Sequence, residues 1–489
     1  MVIDQLSQFP PERIALQTLD NAINYKELIT QVNELTDWFI LNNIKSVALF
    51  GENKPQWLII DLACQQANLI FTPVPAFFSN HQIKHLLNSV KPSILFADHT
   101  FQQKLLITKK ALVSPIIEFK VFKLDYKTQA NIPEHTSKIT FTSGSTGEPK
   151  GVCLSIQNQL NVAHALVNKI EIDAPVHLCL LSFATLLENI AGVYAPLLAG
   201  GTIWIMSDEE RGFNGAELTN FNKLLNAISI SKPQTLILVP ELLQVLLLGI
   251  SKGWQPPQAL EFIAVGGSRV SEKLITKATL MGLPIYQGYG LSECGSVVSI
   301  NSKNTHNNDG AGEVLEHLST EIIDGELIVT GNSFLGYLEL PDSWYQDRVA
   351  TGDLVAIVNG NLEIKGRKKS LIINSYGRNI SPEWLESELI STGLFHQAVV
   401  FGDSKPFCIA ILVPLSTELP RDKIKFAITE FNKSLPIYAQ IHDYILLPQA
   451  MTFIDGLVTS NGRPRRSAIA QHYHQELSNL YSNHLQTSN

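Results

Sequence analysis

No stretch of these 489 residues approaches the run of about 20 uncharged apolar residues that a membrane-spanning helix requires. The apolar segment "LLQVLLLGI" from Leu242 to Ile250 is too short for that and reads as a buried helix. Cysteines are few. Cys64, Cys153, Cys179, Cys294 and Cys408 are scattered, with no CxxC or Cys/His spacing suited to zinc, so they read as small core residues of a protein kept reduced. A basic excess is missing too: 37 Lys and Arg against 45 Asp and Glu leave a formal charge of −8, which argues against a nucleic-acid-binding surface. The opening "MVIDQLSQFPPERIALQ" carries acids and lacks an uninterrupted apolar core, so it does not read as a secretion signal. There is no fixed-period repeat and no low-complexity tract. A cytoplasmic protein is the expectation.

What is present is material for a large core: 45% hydrophobic residues and 17% charged. Short apolar runs of strand type recur at "SVALF" (Ser46), "SILFA" (Ser93), "TIWIM" (Thr202), "TLILV" (Thr235) and "FIAV" (Phe262). Helical periodicity fills the gaps, as in Tyr25 to Leu41, Pro55 to Gln66, Ile156 to Asn168 and Ser271 to Met281. Continuous apolar strands alternating with helices imply parallel sheets covered on both faces. After about Gly310, "GELIVTG", "LVAIV" and "LEIKG" are short strands between Gly/Asn/Asp turns, which suggests a small β-rich module. A smaller α/β unit follows "GRKKSLI" and includes "CIAILVP" and "PRDKIKFAITEFNKSL"; the tail "SAIAQHYHQELSNLYSNHLQ" reads as one helix. The expected fold is therefore α/β. A large N-terminal domain of doubly wound, mostly parallel sheets (1–367, with a β-rich subdomain at about 310–367) precedes a small mobile α/β domain (368–489).

One segment is chemically conspicuous, "ITFTSGSTGEPKGVCLS" from Ile139 to Ser155. It resembles a phosphate loop but lacks the Gly-x4-Gly-Lys-Ser/Thr pattern: four residues on from Gly144 comes Pro149, and from Gly147 comes Val152. Gly144, Gly147 and Gly151 let backbone approach a ligand closely. Thr142, Ser143, Ser145 and Thr146 supply hydroxyl donors, and Lys150 a point charge. A polar surface turn has little use for so many hydroxyls beside a lysine.

Five further segments follow in order: "YQGYGLSECG" (Tyr286 to Gly295), "GELIVTGNSFLGYL" (Gly325 to Leu338), "TGDL" (Thr351 to Leu354), "GRKKSLIINSYGRNISPEWLE" (Gly366 to Glu386) and "SNGRPRR" (Ser460 to Arg466). With "TSGSTGEPKGV" they resemble the adenylate-forming superfamily of acyl-CoA synthetases, luciferases and peptide-synthetase adenylation domains. The resemblance spans nearly the whole chain, including "INYKELITQVNELTDWF" and "ENKPQWLIIDLACQQANLIFTPV".

That resemblance implies a two-step reaction: a carboxylate attacks the α-phosphorus of ATP to give acyl-AMP and pyrophosphate, and a thiol then takes the acyl group and releases AMP. By the same resemblance, Thr142 to Lys150 close over the leaving pyrophosphate, which needs donors placed in advance. Glu293 corresponds to the Mg²⁺-holding acid, with Ser292 where relatives have threonine. Asp353 would accept from both ribose hydroxyls, assisted by Arg367. Tyr289 and Gly290 would lie against the adenine, and Gly266, Gly267 and Ser268 along its edge, with Gly266 and Gly288 also bordering the acyl pocket. Lys369 matches the pivot of the small domain, and Gly377 the glycine that admits the pantetheine arm. Arg463 stands where relatives carry a catalytic lysine. Arginine keeps the charge but is a longer, planar fork, so Arg463 performs the role with adjusted geometry, or Arg465 or Arg466 substitutes, or adenylation is weak.

Leu180 to Gly201, "LLSFATLLENIAGVYAPLLAGG", should line the acyl pocket, with Thr185 where many relatives have histidine. Leu187, Ile190, Val193 and Leu197 form either its apolar wall or the buried stripe of a core helix. "SFATLLEN" and "QGYGLSE" are similar to the fatty-acid branch, so a medium- or long-chain fatty acid is the expected substrate. The cofactors implied are ATP, Mg²⁺ and coenzyme A or the phosphopantetheine of a separate acyl carrier protein, no carrier motif being seen after Arg466. The alternatives left open are an acyl carrier protein ligase, an aryl or other acid ligase, and a degenerate acyl-AMP-binding relative.

Overall fold

The computed structural model describes residues 1–76, 78–98, 111–116, 118–142, 149–215, 217–303, 310–416, 418–452, 455–459 and 463–487. Two large sheets carry the first 300 residues. In one, the parallel strands Ser46–Phe50, Ile70–Val74, Ile94–Asp98 and Lys138–Thr142 form the centre, and Lys150–Leu154 runs antiparallel beside the last of them. In the other, Val176–Leu178, Thr202–Trp204, Thr235–Leu238, Phe262–Val265 and Ile285–Tyr289 are parallel. The glycine-rich segment is therefore a hairpin connecting two strands of the first sheet; its tip, 143–148, lies outside the described residues.

Helices between and around the sheets form because their starts are capped and their apolar residues fall on one face. Asn24 accepts from Glu27 N at 2.8 Å while the Glu27 carboxylate accepts from Asn24 N at 3.0 Å, which fixes the start of Tyr25–Leu41. That helix then buries Leu28, Val32, Leu35 and Phe39. Ser155 and Asn158 cap Ile156–Ile170 in the same way. Both sheets contribute to one continuous core, Val47 and Phe71 from one and Ile203 and Phe262 from the other. At its middle Lys138 donates to Asp61 at 3.1 Å and to Tyr194 Oη at 2.6 Å, and also contacts Asn189. This buried pair ties the strand leading into the glycine-rich hairpin to the pocket helix described below.

A four-stranded antiparallel sheet follows, built from Ser319–Ile323, Glu326–Thr330, Arg348–Val358 and Asn361–Arg367. Beyond it lies a unit with its own core of Ile372, Leu385, Phe395, Leu412 and Ile424. It contains the hairpin Ile372–Ile373/Asn379–Ile380, the helix Pro382–Ser391 and a three-stranded sheet. The tail is two helices, Arg466–His472 and His474–Thr487, rather than one, because Tyr473 leaves helical geometry at φ −104°, ψ 26°.

Candidate active site

The strands of the second sheet end, at their carboxyl side, on a cleft of about 2300 Å³ bordered on its other side by the small C-terminal unit. Ligands of open parallel sheets bind at this kind of place. Thr142, Lys150, Gly266 to Ser268, Gly288 to Glu293, Arg367, Lys369 and Arg463 all line it. Ser143, Gly144, Ser145, Thr146 and Gly147, expected to close over pyrophosphate, lie outside the described residues.

Two groups of side chains and one of backbone organise the cleft, the first around Asp353, which stands behind the lining residues Tyr289 and Arg367. Asp353, 3% exposed, accepts from Tyr289 Oη at 2.6 Å and from Arg367 Nε at 2.8 Å. Burial first, and the Asp353 charge next, push the Tyr289 hydroxyl pKa far up, so it remains a donor. Burial opposes the charge on Arg367, but Asp353 more than offsets it and holds that guanidinium above its ordinary value. Glu293 sits in the short 3₁₀ turn Ser292–Cys294 and accepts from Tyr337 Oη at 2.8 Å; Lys150 Nζ stands 5.3 Å from the Tyr337 ring. Tyr337 thus links the lysine after the glycine-rich tip to the acid opposite. It lies inside "FLGYL", a quoted motif, yet had no assigned role.

The third group is backbone. A side chain on Gly266 would bring Cβ 3.2 Å from Gly288 O, one on Gly288 would meet Ser299 O at 3.2 Å, and Gly267 holds φ +86°. These neighbouring strand ends stay bare, leaving room for a flat ring. Bare backbone beside a buried carboxylate with hydrogen-bonded partners fits a nucleoside. One half-buried carboxylate, Glu293, on the wall that carries Lys150 fits Mg²⁺, which takes one or two protein carboxylates and otherwise phosphate and water oxygens.

From the small unit, Arg463 crosses the cleft and donates to Gly267 O. Enclosure by the cleft walls and then repulsion from Arg367 lower its pKa, while Asp353, Glu241 and Glu383 act the other way. Its neighbours are committed elsewhere: Arg466 grips Glu386 at 2.5 and 3.1 Å and Val400 O at 2.7 Å, and Arg465 donates to Gly456 O at 3.1 Å. Gly377 is at an exposed hairpin turn and does not line the cleft.

An apolar arm of the cleft runs between the second sheet and the helical segment 188–198. Leu187, Ala191 and Ala195 line it, but Ile190 and Val193, expected on the acid-pocket wall, do not: both are fully buried in the core, as is Leu197. The larger apolar side chains of this helix seal the interior and the small ones face the cavity. Glu188–Tyr194 is wound as a π-helix, which also moves the lining face away from ordinary helical spacing. Glu188 Oε1 lies 2.9 Å from His177 Nε2, and His177 Nδ1 lies 2.8 Å from Thr235 Oγ1. A Cβ on Gly192 would come 2.3 Å from Glu188 Oε1, so glycine is required there.

The lip of the arm was not foreseen. Asn53 donates to Leu181 O and accepts from Phe183 N, both at 2.8 Å; Glu188 Oε2 accepts from Leu181 N at 3.1 Å; Arg211 donates to Leu180 O at 2.5 Å. Asn53 belongs to "ENKPQW" near the N-terminus, and only the fold brings it to residues 180–183.

The profile of the AMP-binding enzyme family matches residues 3–338, and that of the AMP-binding enzyme C-terminal domain matches residues 369–485. A long-chain-fatty-acid–CoA ligase of Mycobacterium bovis is 24% identical across 89% of this chain and 88% of its own. A D-alanine–D-alanyl carrier protein ligase of Lactococcus lactis is 25% identical across 96% and 98%. Among solved structures, an anthranilate CoA ligase in complex with anthranoyl-AMP superposes with TM-score 0.82 at 14% identity, over 96% of each chain. O-succinylbenzoate coenzyme A synthetase of Bacillus subtilis, in complex with ATP and magnesium ion, gives 0.74 at 20% identity, over 95% and 98%. By sequence and fold this is an adenylate-forming enzyme. The chain belongs to the AMP-binding enzyme family and is an AMP-forming acid–thiol ligase of the acyl-CoA synthetase type.

Proposed function

We propose that the acid is a medium- or long-chain fatty acid, joined first to AMP and then to coenzyme A. The observation that carries this reading is the apolar arm opening from the nucleotide cleft. Its sheet wall is Phe262 and Ala264 of one strand with Gly266 just past the strand's end, and Leu187, Ala191 and Ala195 also line it. From Gly266 back to Phe262 is four residue rises, about 13 Å of depth. His177 and Thr235, polar groups on the cleft lining, are bonded to each other. A straight hydrocarbon chain matches such a wall, and its burial supplies binding energy of about 0.8 kcal/mol per methylene.

The residues then divide the work as follows. Asp353 and Arg367 orient the ribose, with Tyr289 and Gly266 to Ser268 around the base. Lys150 and the glycine-rich hairpin hold the β- and γ-phosphates. Glu293 holds Mg²⁺, which when bound neutralises charge building on the leaving pyrophosphate. Arg463 brings its guanidinium to the α-phosphate and the substrate carboxylate, lowering the repulsion between two anions that must approach. Closure of the cleft keeps water from the mixed anhydride. Lys369 is the pivot that afterwards exchanges Arg463 for the Gly377 hairpin, through which the thiol enters.

A panel of straight-chain acids, aromatic acids and D-alanine, each incubated with ATP, Mg²⁺ and hydroxylamine, tests the substrate. Hydroxamate and AMP should appear best with medium or long straight chains. Product from D-alanine or an aromatic acid, with none from any straight-chain acid, overturns the assignment. Similarity to a carrier protein ligase along nearly the whole chain supports a second acceptor, so the panel is run with coenzyme A and with acyl carrier protein.

A further inference from the structure

The eight residues Gly266 to Lys273 meet the C-terminal part of the chain at three separate points. Gly267 O receives Arg463. Arg269 donates to Ile364 O at 3.1 Å and Lys365 O at 3.3 Å, in the strand that leads into the pivot. Ser271 Oγ donates to Glu388 Oε1 at 2.8 Å, and Lys273 Nζ lies 2.8 Å from Glu388 Oε2. The base-contacting loop and the docking point of the small domain are thus one short, continuous piece of backbone.

Glu388 is unlike its neighbour on the same helix. Glu386 points into the small domain, where Arg466 and Val400 N satisfy it. Two positions on, about 200° around the helix, the Glu388 carboxylate is 12% exposed and its partners among the described residues lie across the interface in the large domain. A carboxylate serving its own domain's stability would find partners there, as Glu386 does. The surroundings are also loosely packed: a crevice of about 270 Å³ lies between Arg269, Ser271 and Lys273 on one side and Trp384, Glu388 and Phe431 on the other. A close-packed apolar interface would fix the domains by itself; here the polar contact has to specify the arrangement.

We infer that Glu388 is a positioning residue for acyl-AMP formation: seated on Ser271 and Lys273, it holds the small domain where Arg463 reaches Gly267, and thioester formation does not use it. This rests on the adenylating role given above to Arg463. The contact biases the domain equilibrium toward the first half-reaction and must break before the second. Its free energy therefore favours the first step and opposes the second.

The test measures the half-reactions separately: pyrophosphate release with acid and ATP but no thiol, and thioester formation from added acyl-AMP and coenzyme A. E388A should lower the first roughly ten- to a hundredfold, the loss expected from one charge-assisted contact, and leave the second at or above the wild-type rate. E388Q, which keeps a partner for Ser271, should fall between, and the charge exchange K273E/E388K should recover part of the loss. Small-angle scattering gives a readout independent of activity: E388A should be more extended than the wild type. An equal fall in both half-reactions with a lower Tm, or no change in either, overturns the inference. A wild type that makes no acyl-AMP from any acid instead defeats the functional reading. Scattering then decides this contact alone, and identical profiles for wild type and E388A reject it.

Discussion

Asp353 and Arg463 show how far a single residue can be read from its surroundings. Asp353 is buried with Tyr289 and Arg367 already bonded to it, so its carboxylate is fixed before any nucleotide arrives. D353N keeps the shape and an acceptor for Tyr289 but removes the charge facing Arg367. Its kcat/KM for ATP should fall roughly ten- to a hundredfold, measured by pyrophosphate release; an unchanged value denies Asp353 a part in nucleotide binding. Arg463 suggests why an arginine suits this cleft. Enclosure and Arg367 depress its pKa, yet a guanidinium has room to fall and stay charged at any working pH. A lysine starts from about 10.4 and would lose its proton as pH rises through a similarly lowered value. R463K should therefore acquire an alkaline limb in its rate of acyl-AMP formation that the wild type lacks, and parallel pH profiles would refute this. The motif residues were legible because their order along the chain is distinctive. Tyr337 and Asn53 were not, since each acts by a contact across more than forty residues that no spacing records.

At the scale of elements, the sequence was most informative where one periodicity ruled. Tyr25–Leu41 and Pro55–Gln66 have the boundaries expected from pattern and caps, and Thr235–Leu238, Phe262–Val265 and Cys408–Pro414 are strands where apolar runs predicted them. The pattern misled at 188–194. A stripe at helical spacing picked out Ile190 and Val193, but an apolar stripe marks the core-facing side whether or not a cavity lies behind it. Small residues, which carry little hydropathic signal, line the arm instead. A191F should therefore cut kcat/KM for the longest accepted acid roughly tenfold or more while sparing shorter ones, since each methylene in a fitted pocket is worth about 1–3 kcal/mol. A uniform loss across chain lengths would place Ala191 outside the acyl path. G192A has a different fate: its Cβ would lie 2.3 Å from Glu188 and 2.7 Å from His177. Overpacking of this kind costs about 1–3 kcal/mol, so Tm should fall, and an unchanged Tm would mean the His177–Glu188 pair yields easily.

For the whole molecule, the order of parts was readable and their mutual placement was not. Two units with separate cores follow from composition and strand pattern, but the contacts of Arg463 and Glu388 with the large domain join residues more than a hundred positions apart and follow no local rule. That placement has a consequence for the reaction. With Arg463 at Gly267, Gly377 sits on an exposed hairpin away from the cleft, so a thiol arriving there meets no acyl group. On the proposed reaction the small domain turns, and the backbone between the strand Asn361–Arg367 and the hairpin at Ile372 absorbs the change. Lys368 N is held by Gly352 O, and Ser370 N and Leu371 N by Arg367 O; the Lys369 N–H takes no part in these bonds. A proline at 369 would remove none of these N–H donors and would fix φ near −65°, while crowding the turn at Lys368. K369P should thus keep more of its acyl-AMP formation than of its thioester formation, the latter slowing by about an order of magnitude or more, because the rotated state becomes costly to populate. Both half-reactions falling in step, at unchanged Tm, would show that the chain turns elsewhere. A full-rate second half-reaction would show that no turn at Lys369 is needed for the thiol to reach the cleft.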